Sequence, residues 1–364
     1  MKSKPFLPIA LLLGASSLAL AQKQAPPADP LPADALHAMQ SNQDPKETAI
    51  WKTCKNPPTT GLRPPGPPGP ANAPAPPVRD VKITAIPGVI AADAQWNFVW
   101  QQLGNNGDGI IGTPGGGLML ALNDSSAVVK LDKNGKASIA YKDTNTGGAL
   151  SMSTKGVLFI VERGVNPNVT ELAPARKTFA DTFDGEPLDC LNQVINDLAA
   201  DSKGGVYFTM GALFYANPKG EITKYGADLH TNGIILSLDE KTIYITDNKR
   251  VVAFDIQPDG SLTNERPFGN LEGGGYGDGT TIDSEGRLYV TTGPGVQVLG
   301  PDGKYLGLIP TPRPVISAAF SGKYKKTLYI LARGAKDQSG AEVANAAQVY
   351  AIEMISQGFK KRAK

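Results

Sequence analysis

The chain has 364 residues, with 36 Lys and Arg against 34 Asp and Glu, 41 Gly, 30 Pro, two Cys and two His. A net charge of +2 provides no broad cationic field, which argues against nucleic acid as a partner. Two cysteines and two histidines cannot build a Cys-rich zinc site or a three-His catalytic zinc, so any metal chemistry must rest on oxygen ligands.

Residues 1–21 carry Lys2 and Lys4, an apolar run from Phe6 to Leu20 and the small-x-small sequence Ala19-Leu20-Ala21. This is the pattern of a secretory signal peptide. Gly14, Ser16 and Ser17 interrupt the run, which falls short of the roughly 20 apolar residues of a membrane span. No later stretch is apolar enough to cross. The expected location is periplasmic or secreted, where Cys54 and Cys190 are able to pair, although sequence distance does not say whether they meet.

Residues 22–79 hold 15 of the 30 prolines, between Pro26 and Pro77. So little aliphatic content cannot offset the entropy of ordering, and the segment is expected to be largely irregular. A short helix is expected over Ala33–Met39, and the stretch with Trp51 and Cys54 is expected to pack on the main domain. That domain spans 80–358, followed by a basic tail at 359–364.

Within the domain a repeat dominates. Six segments open with a turn and continue as an alternating apolar strand, starting at Thr113, Ser153, Asp201, Ser237, Asp283 and Ser321, at spacings of 40, 48, 36, 46 and 38 residues. Second strands and turns recur after them, as in Val128–Gly135, Leu213–Gly220, Val251–Gly260 and Val296–Gly303. This is the spacing of four-stranded propeller blades. The fold class is therefore all-β, a six-bladed β-propeller, with Val81–Ile86 expected to complete the last blade.

The strand before each turn would line the central channel. Counting back five residues from each turn start gives Asp108, Gly148, Asn196, Asn232, Asp278 and Ile316. Equivalent positions of a propeller converge on its axis, so two carboxylates and two amide oxygens would meet at one end. Hard oxygen donors of this kind suit one divalent cation, calcium first, with zinc, magnesium and manganese as alternatives. Asp, Asn and Gly are also ordinary turn residues, but Asp108 facing Asp278 without a counter-ion would be costly.

At these residues the sequence resembles the regucalcin/gluconolactonase family of six-bladed propellers, over about Gly104 to Ile309. The resemblance rests on Asn196-Asp-Leu-Ala-Ala-Asp-Ser-Lys-Gly-Gly-Val-Tyr-Phe-Thr, Asn232-Gly-Ile-Ile-Leu-Ser-Leu-Asp-Glu-Lys-Thr-Ile-Tyr-Ile-Thr and Gly277-Asp-Gly-Thr-Thr-Ile-Asp-Ser-Glu-Gly-Arg-Leu-Tyr-Val, in that order. It implies metal-dependent hydrolysis of a lactone, with Asn232 and Asp278 as ligands, Asp278 also as general base and Asn196 as a substrate or water contact. Asp108 stands where the family carries a Glu ligand, one methylene longer. Val194 stands where an Arg is frequent, and the turn after Thr209 is shorter than the substrate loop of sugar lactonases.

His230 and Tyr276 are further candidates for substrate binding, while Trp96 and Trp100 read as packing residues and Glu162-Arg163 as a solvated pair. Gly273–Gly279 is glycine-rich, yet a strand follows it, so a phosphate-loop reading lacks its helix. A small-molecule substrate and a monomeric state are expected. The alternative is a non-catalytic extracytoplasmic propeller that binds a ligand or protein around a structural ion.

Overall fold

The computed structural model describes residues 45–58, 75–226 and 228–363. The signal-peptide segment, the Ala33–Met39 stretch and most of the proline-rich run lie outside those residues.

Six four-stranded antiparallel sheets follow one another along the chain. Blade 1 comprises Gly107–Gly112, Leu118–Leu122, Ala127–Leu131 and Ala137–Tyr141. Blade 2 comprises Leu150–Met152, Leu158–Glu162, Asn168–Ala173 and Lys177–Ala180. Leu198–Ala200, Val206–Thr209, Leu213–Ala216 and Ile222–Tyr225 form blade 3. Thr231–Leu236, Thr242–Asp247, Arg250–Ile256 and Leu262–Asn270 form blade 4. Blade 5 is Thr280–Ile282, Leu288–Thr292, Gly295–Leu299 and Tyr305–Pro310. Blade 6 takes Val315–Ser321, Thr327–Lys336 and Glu342–Glu353 from the C-terminal part and Asn97–Leu103 as its outermost strand. Each innermost strand contacts the innermost strands on either side, and that of blade 6 contacts that of blade 1, so the ring closes.

Both faces of each sheet must be covered, because the inner strands are apolar on alternate sides and are buried throughout blades 3, 5 and 6. The core answers this with six clusters, one at each junction between neighbouring blades. Trp100, 3% exposed, fills the junction of blades 6 and 1. Trp96 packs at the junction of blades 5 and 6 and donates its indole N–H to the Pro310 carbonyl at 2.8 Å. Both are packing residues.

The ring is closed by Asn97–Leu103, which pairs with Glu342–Glu353 from Asn97↔Ala351 to Leu103↔Ala346. This corrects the expectation for Val81–Ile86. Pro87-Gly88, with Gly88 at φ +71°, turns the chain back so that Ile86 bridges to Ile90. A strand cannot run through such a turn. Ile83, Ile86, Val89 and Ile90 are instead wedged into the cluster between blades 5 and 6.

The repeated turn residues have a local task. Asp201 Oδ1 accepts the backbone N–H groups of Lys203, Gly204 and Gly205 at 2.7–2.8 Å, and Asp283 Oδ1 accepts those of Glu285 and Arg287. These Asx turns sit at the end of the inner strands opposite Asp108 and Asp278. The C-terminal residues 356–363 cross that same end. Ala363 O accepts from Gly112 N, Gln357 O from Ser284 N, and Arg362 reaches Ser237 O and Glu240 Oε1 at 3.1 and 3.3 Å.

A short helix, Pro45–Trp51, precedes Cys54, which is disulfide-bonded to Cys190. Cys190 lies in the 3-10 turn Leu188–Leu191 between blades 2 and 3, so the bond ties the N-terminal arm to the ring. Lys55 Nζ adds a 2.7 Å hydrogen bond to Asp184 O.

Candidate functional site

Five of the six positions read from the repeat, Asp108, Asn196, Asn232, Asp278 and Ile316, line one narrow cavity on the axis, together with Ala149, the neighbour of the sixth position, Gly148. The cavity is about 10 Å³, on the order of a single water or ion position.

Close approach of the blades explains why glycine follows three of these residues. A Cβ on Gly233 would fall 2.0 Å from Asp278 O, one on Gly279 2.8 Å from Ser317 Oγ, and one on Gly109 2.7 Å from Ala149 Cα. Threonines at the ends of the second strands then fix the spacing between blades. Thr209 Oγ1 donates to Asn232 O at 2.6 Å, Thr291 Oγ1 donates to Ile316 O at 2.6 Å, and Thr246 Oγ1 accepts from Gly233 N at 2.7 Å. Each holds the backbone of a site residue or its neighbour. The side chain of Asp197, beside Asn196, is turned into the backbone, accepting from Leu198 N at 2.8 Å and Ile234 N at 3.2 Å.

Asp278 carries the strongest electrostatic signature of the mouth. Burial pushes its carboxyl up to about 7, and the facing Asp108 pushes the same way, while Arg333 and Arg163 pull it down. Among the described residues no hydrogen bond occupies the side-chain oxygens of Asn232 or Asp278. Two uncommitted oxygen donors beside a disfavoured negative charge, around a space of one ion's size, fit a hard divalent cation.

Arg163 was not foreseen. The Glu162-Arg163 pair, read as solvated, is buried at 5% and 7% exposure, because the strand ends beneath the channel mouth instead of at the surface. Glu162 pairs with Arg176 at 2.7 Å. Arg163 forms an ion pair with Asp108 through Nη1, donates from Nε to Ile195 O at 2.8 Å, and donates from Nη2 to Asn196 O at 2.7 Å and Asn196 Oδ1 at 2.8 Å. It thereby performs for Asn196 the task that threonines perform in later blades. A sequence signal for it existed in Gly148, one of two aligned positions without an oxygen side chain. A Cβ there would fall 2.3 Å from Arg163 Cζ.

His230 and Tyr276 stand outside the cavity lining. Both belong to loops that lead into site strands, two residues before Asn232 and Asp278. His230 is exposed, with its backbone N–H donating to Asp247 Oδ1 at 2.9 Å. Tyr276 is 64% exposed, and Lys249 Nζ lies 5.4 Å from its ring centroid. Val194 is exposed as well.

Residues 123–333 match the family described as SMP-30/Gluconolactonase/LRE-like region. The match includes Arg163, Asn196, Asn232 and Asp278 and begins after Asp108. The chain is 24% identical over 284 residues to a gluconolactonase of Zymomonas mobilis, covering 67% of this chain and 78% of that protein. It is 29% identical over 182 residues to the lactonase drp35 of Staphylococcus aureus, covering 45% of this chain and 49% of the relative, about half its length. The solved gluconolactonase XC5397 of Xanthomonas campestris superposes with a TM-score of 0.61 at 20% identity, over 78% of this chain and 98% of that one. At that identity the likeness concerns the fold.

Proposed function

The chain belongs to the SMP-30/gluconolactonase/LRE-like family, and on that premise we propose that it hydrolyses a lactone to a hydroxy acid at the mouth of the channel. The observation that carries the reading is the meeting of Asp108, Asn196, Asn232 and Asp278, from four blades, around one cavity. A divalent cation, calcium by the chemistry of its donors, would be held by Asn232 and Asp278, with Asp108 as the second carboxylate of the site. When bound it polarises the lactone carbonyl as a Lewis acid.

The remaining work falls to the side chains. Asp278, whose carboxyl burial and Asp108 push up in the ion-free site, accepts the proton of the attacking water as general base. Asn196, fixed by Arg163, contacts the carbonyl oxygen or the water. The water oxygen bonds to the carbonyl carbon, the ring C–O bond breaks, and the former ring oxygen takes the proton from Asp278 and leaves as the product hydroxyl. His230 and Tyr276 meet the part of the substrate that projects from the mouth. The disulfide supports a location outside the cytoplasm.

The test is a panel of aldono- and aliphatic lactones assayed with the protein as purified, after chelation and after calcium is restored. Hydrolysis lost on chelation and regained with calcium is expected. Hydrolysis of none of them by the calcium-loaded protein would overturn the reading in favour of a non-catalytic binding propeller.

A further inference from the structure

The guanidinium of Arg163 is 6% exposed, and its Asp108 partner 17%. Of its five N–H groups, one on Nε, two on Nη2 and one on Nη1 are directed at Ile195 O, the two oxygens of Asn196 and Asp108 Oδ2. A group so nearly saturated has little to offer a substrate. Its effect is on the residues it holds. Because only an oxygen can accept from Arg163 Nη2, Asn196 Oδ1 must face the guanidinium, and the amide is left with its N–H donors and one lone pair of Oδ1 for other partners. Because Asp108 Oδ2 is paired with a buried positive charge, part of its charge is offset, although Asp108 still opposes the ionisation of Asp278.

We propose that Arg163 is an internal counter-cation that withholds Asp108 from the ion, so that Asp278 and Asn232 bind it without help from the second carboxylate, while Asn196 serves as a hydrogen-bond donor and not as a ligand. This rests on the reading of the mouth as a cation site. Arg163 is a positioning residue, and its charge sets how tightly the site holds a divalent ion, since ligand charge tunes such affinities over orders of magnitude. The arrangement trades affinity for a mouth that keeps its geometry with or without the ion.

Calcium titration by calorimetry, with the full chain stripped by chelator, tests the proposal. Arg163→Gln releases Asp108 and is expected to bind calcium about tenfold or more tightly than the parent. The pair Asp108→Asn with Arg163→Gln replaces one neutral pair by another, and its affinity is expected to stay within about threefold of the parent. Arg163→Lys keeps the charge and should restore the weaker affinity. Were Asp108 a direct ligand, the double variant would lose about a hundredfold, because no carboxylate replaces it; that result overturns the proposal, as does an Arg163→Gln variant that binds calcium no more tightly than the parent. Should Arg163→Gln fail to fold, as judged by its melting curve, the double variant decides alone. Absence of binding in every protein would end both the proposal and the ion reading, whereas the expected affinities without hydrolysis of any lactone would leave Arg163's role standing and remove only the proposed reaction.

Discussion

Asp278 is costly to ionise. Its carboxyl is raised from the usual carboxylate range to about 7 by burial and by Asp108, so without an ion its charge opposes folding. The penalty is absent below about pH 4, grows as pH rises toward 7 and is constant above that. The expected result is a melting-temperature gap between calcium-loaded and chelated protein that widens from pH 5 to pH 8. In chelated protein at pH 8, Asp278→Asn should melt higher than the parent, by an amount worth a few kcal/mol at most on the order of the pKa displacement. The same substitution should abolish calcium binding in calorimetry and reduce lactone turnover by about a hundredfold or more, since ligand and base are lost together. A chelated variant no more stable than its parent would contradict the account of the charge. At this scale the sequence revealed much, because Asp108, Asn196, Asn232 and Asp278 share a register that repeats. Arg163 was missed because its side chain crosses from one blade to the next, and its only trace in the repeat is the glycine at position 148, which leaves room for it.

Single strands are set by alternation and by where turns fall. Val81–Ile86 alternates, whereas Asn97–Leu103 carries Phe98, Val99 and Trp100 in a row followed by Gln101 and Gln102, and only Pro87-Gly88 disqualifies the former as a closing strand, which is why sequence reading chose the wrong one. Between the inner strands, tolerance is small. Gly233→Ala would drive a methyl to 2.0 Å from Asp278 O, so the blades must part. A stability loss of about 2 kcal/mol or more by urea unfolding, with weakened calcium binding, is expected. Thr209→Val is gentler. It removes the hydrogen bond that Thr209 Oγ1 donates to Asn232 O and the one it accepts from Asp197 N and should cost about 1–2 kcal/mol, with calcium affinity reduced by less than in Gly233→Ala.

The molecule as a whole is held by six junction cores, while the N-terminal arm is fastened by a covalent link at Cys54 and Cys190. The two should separate experimentally. Replacing both cysteines by serine is expected to lower the unfolding free energy by about 2–4 kcal/mol, with the β circular-dichroism spectrum preserved. Loss of the sheet signal would mean that the arm is integral to the ring. The ring's count of blades was readable because turn, strand and second strand recur, and the packing of the Trp51 and Cys54 stretch on the ring was expected too; whether Cys54 and Cys190 meet was not readable, since no pattern surrounds the pair of sulfurs.

The last blade unites a strand near the start of the domain with three from its end. During synthesis Asn97–Leu103 emerges first among the blade strands and has no mate until Glu342–Glu353 has been made. Until then an open edge persists, and the nascent chain carries a sticky ribbon through the manufacture of five complete sheets. Folding of the finished circle must therefore wait until Glu342–Glu353 has been made, and messages truncated before that strand should yield protein prone to clump.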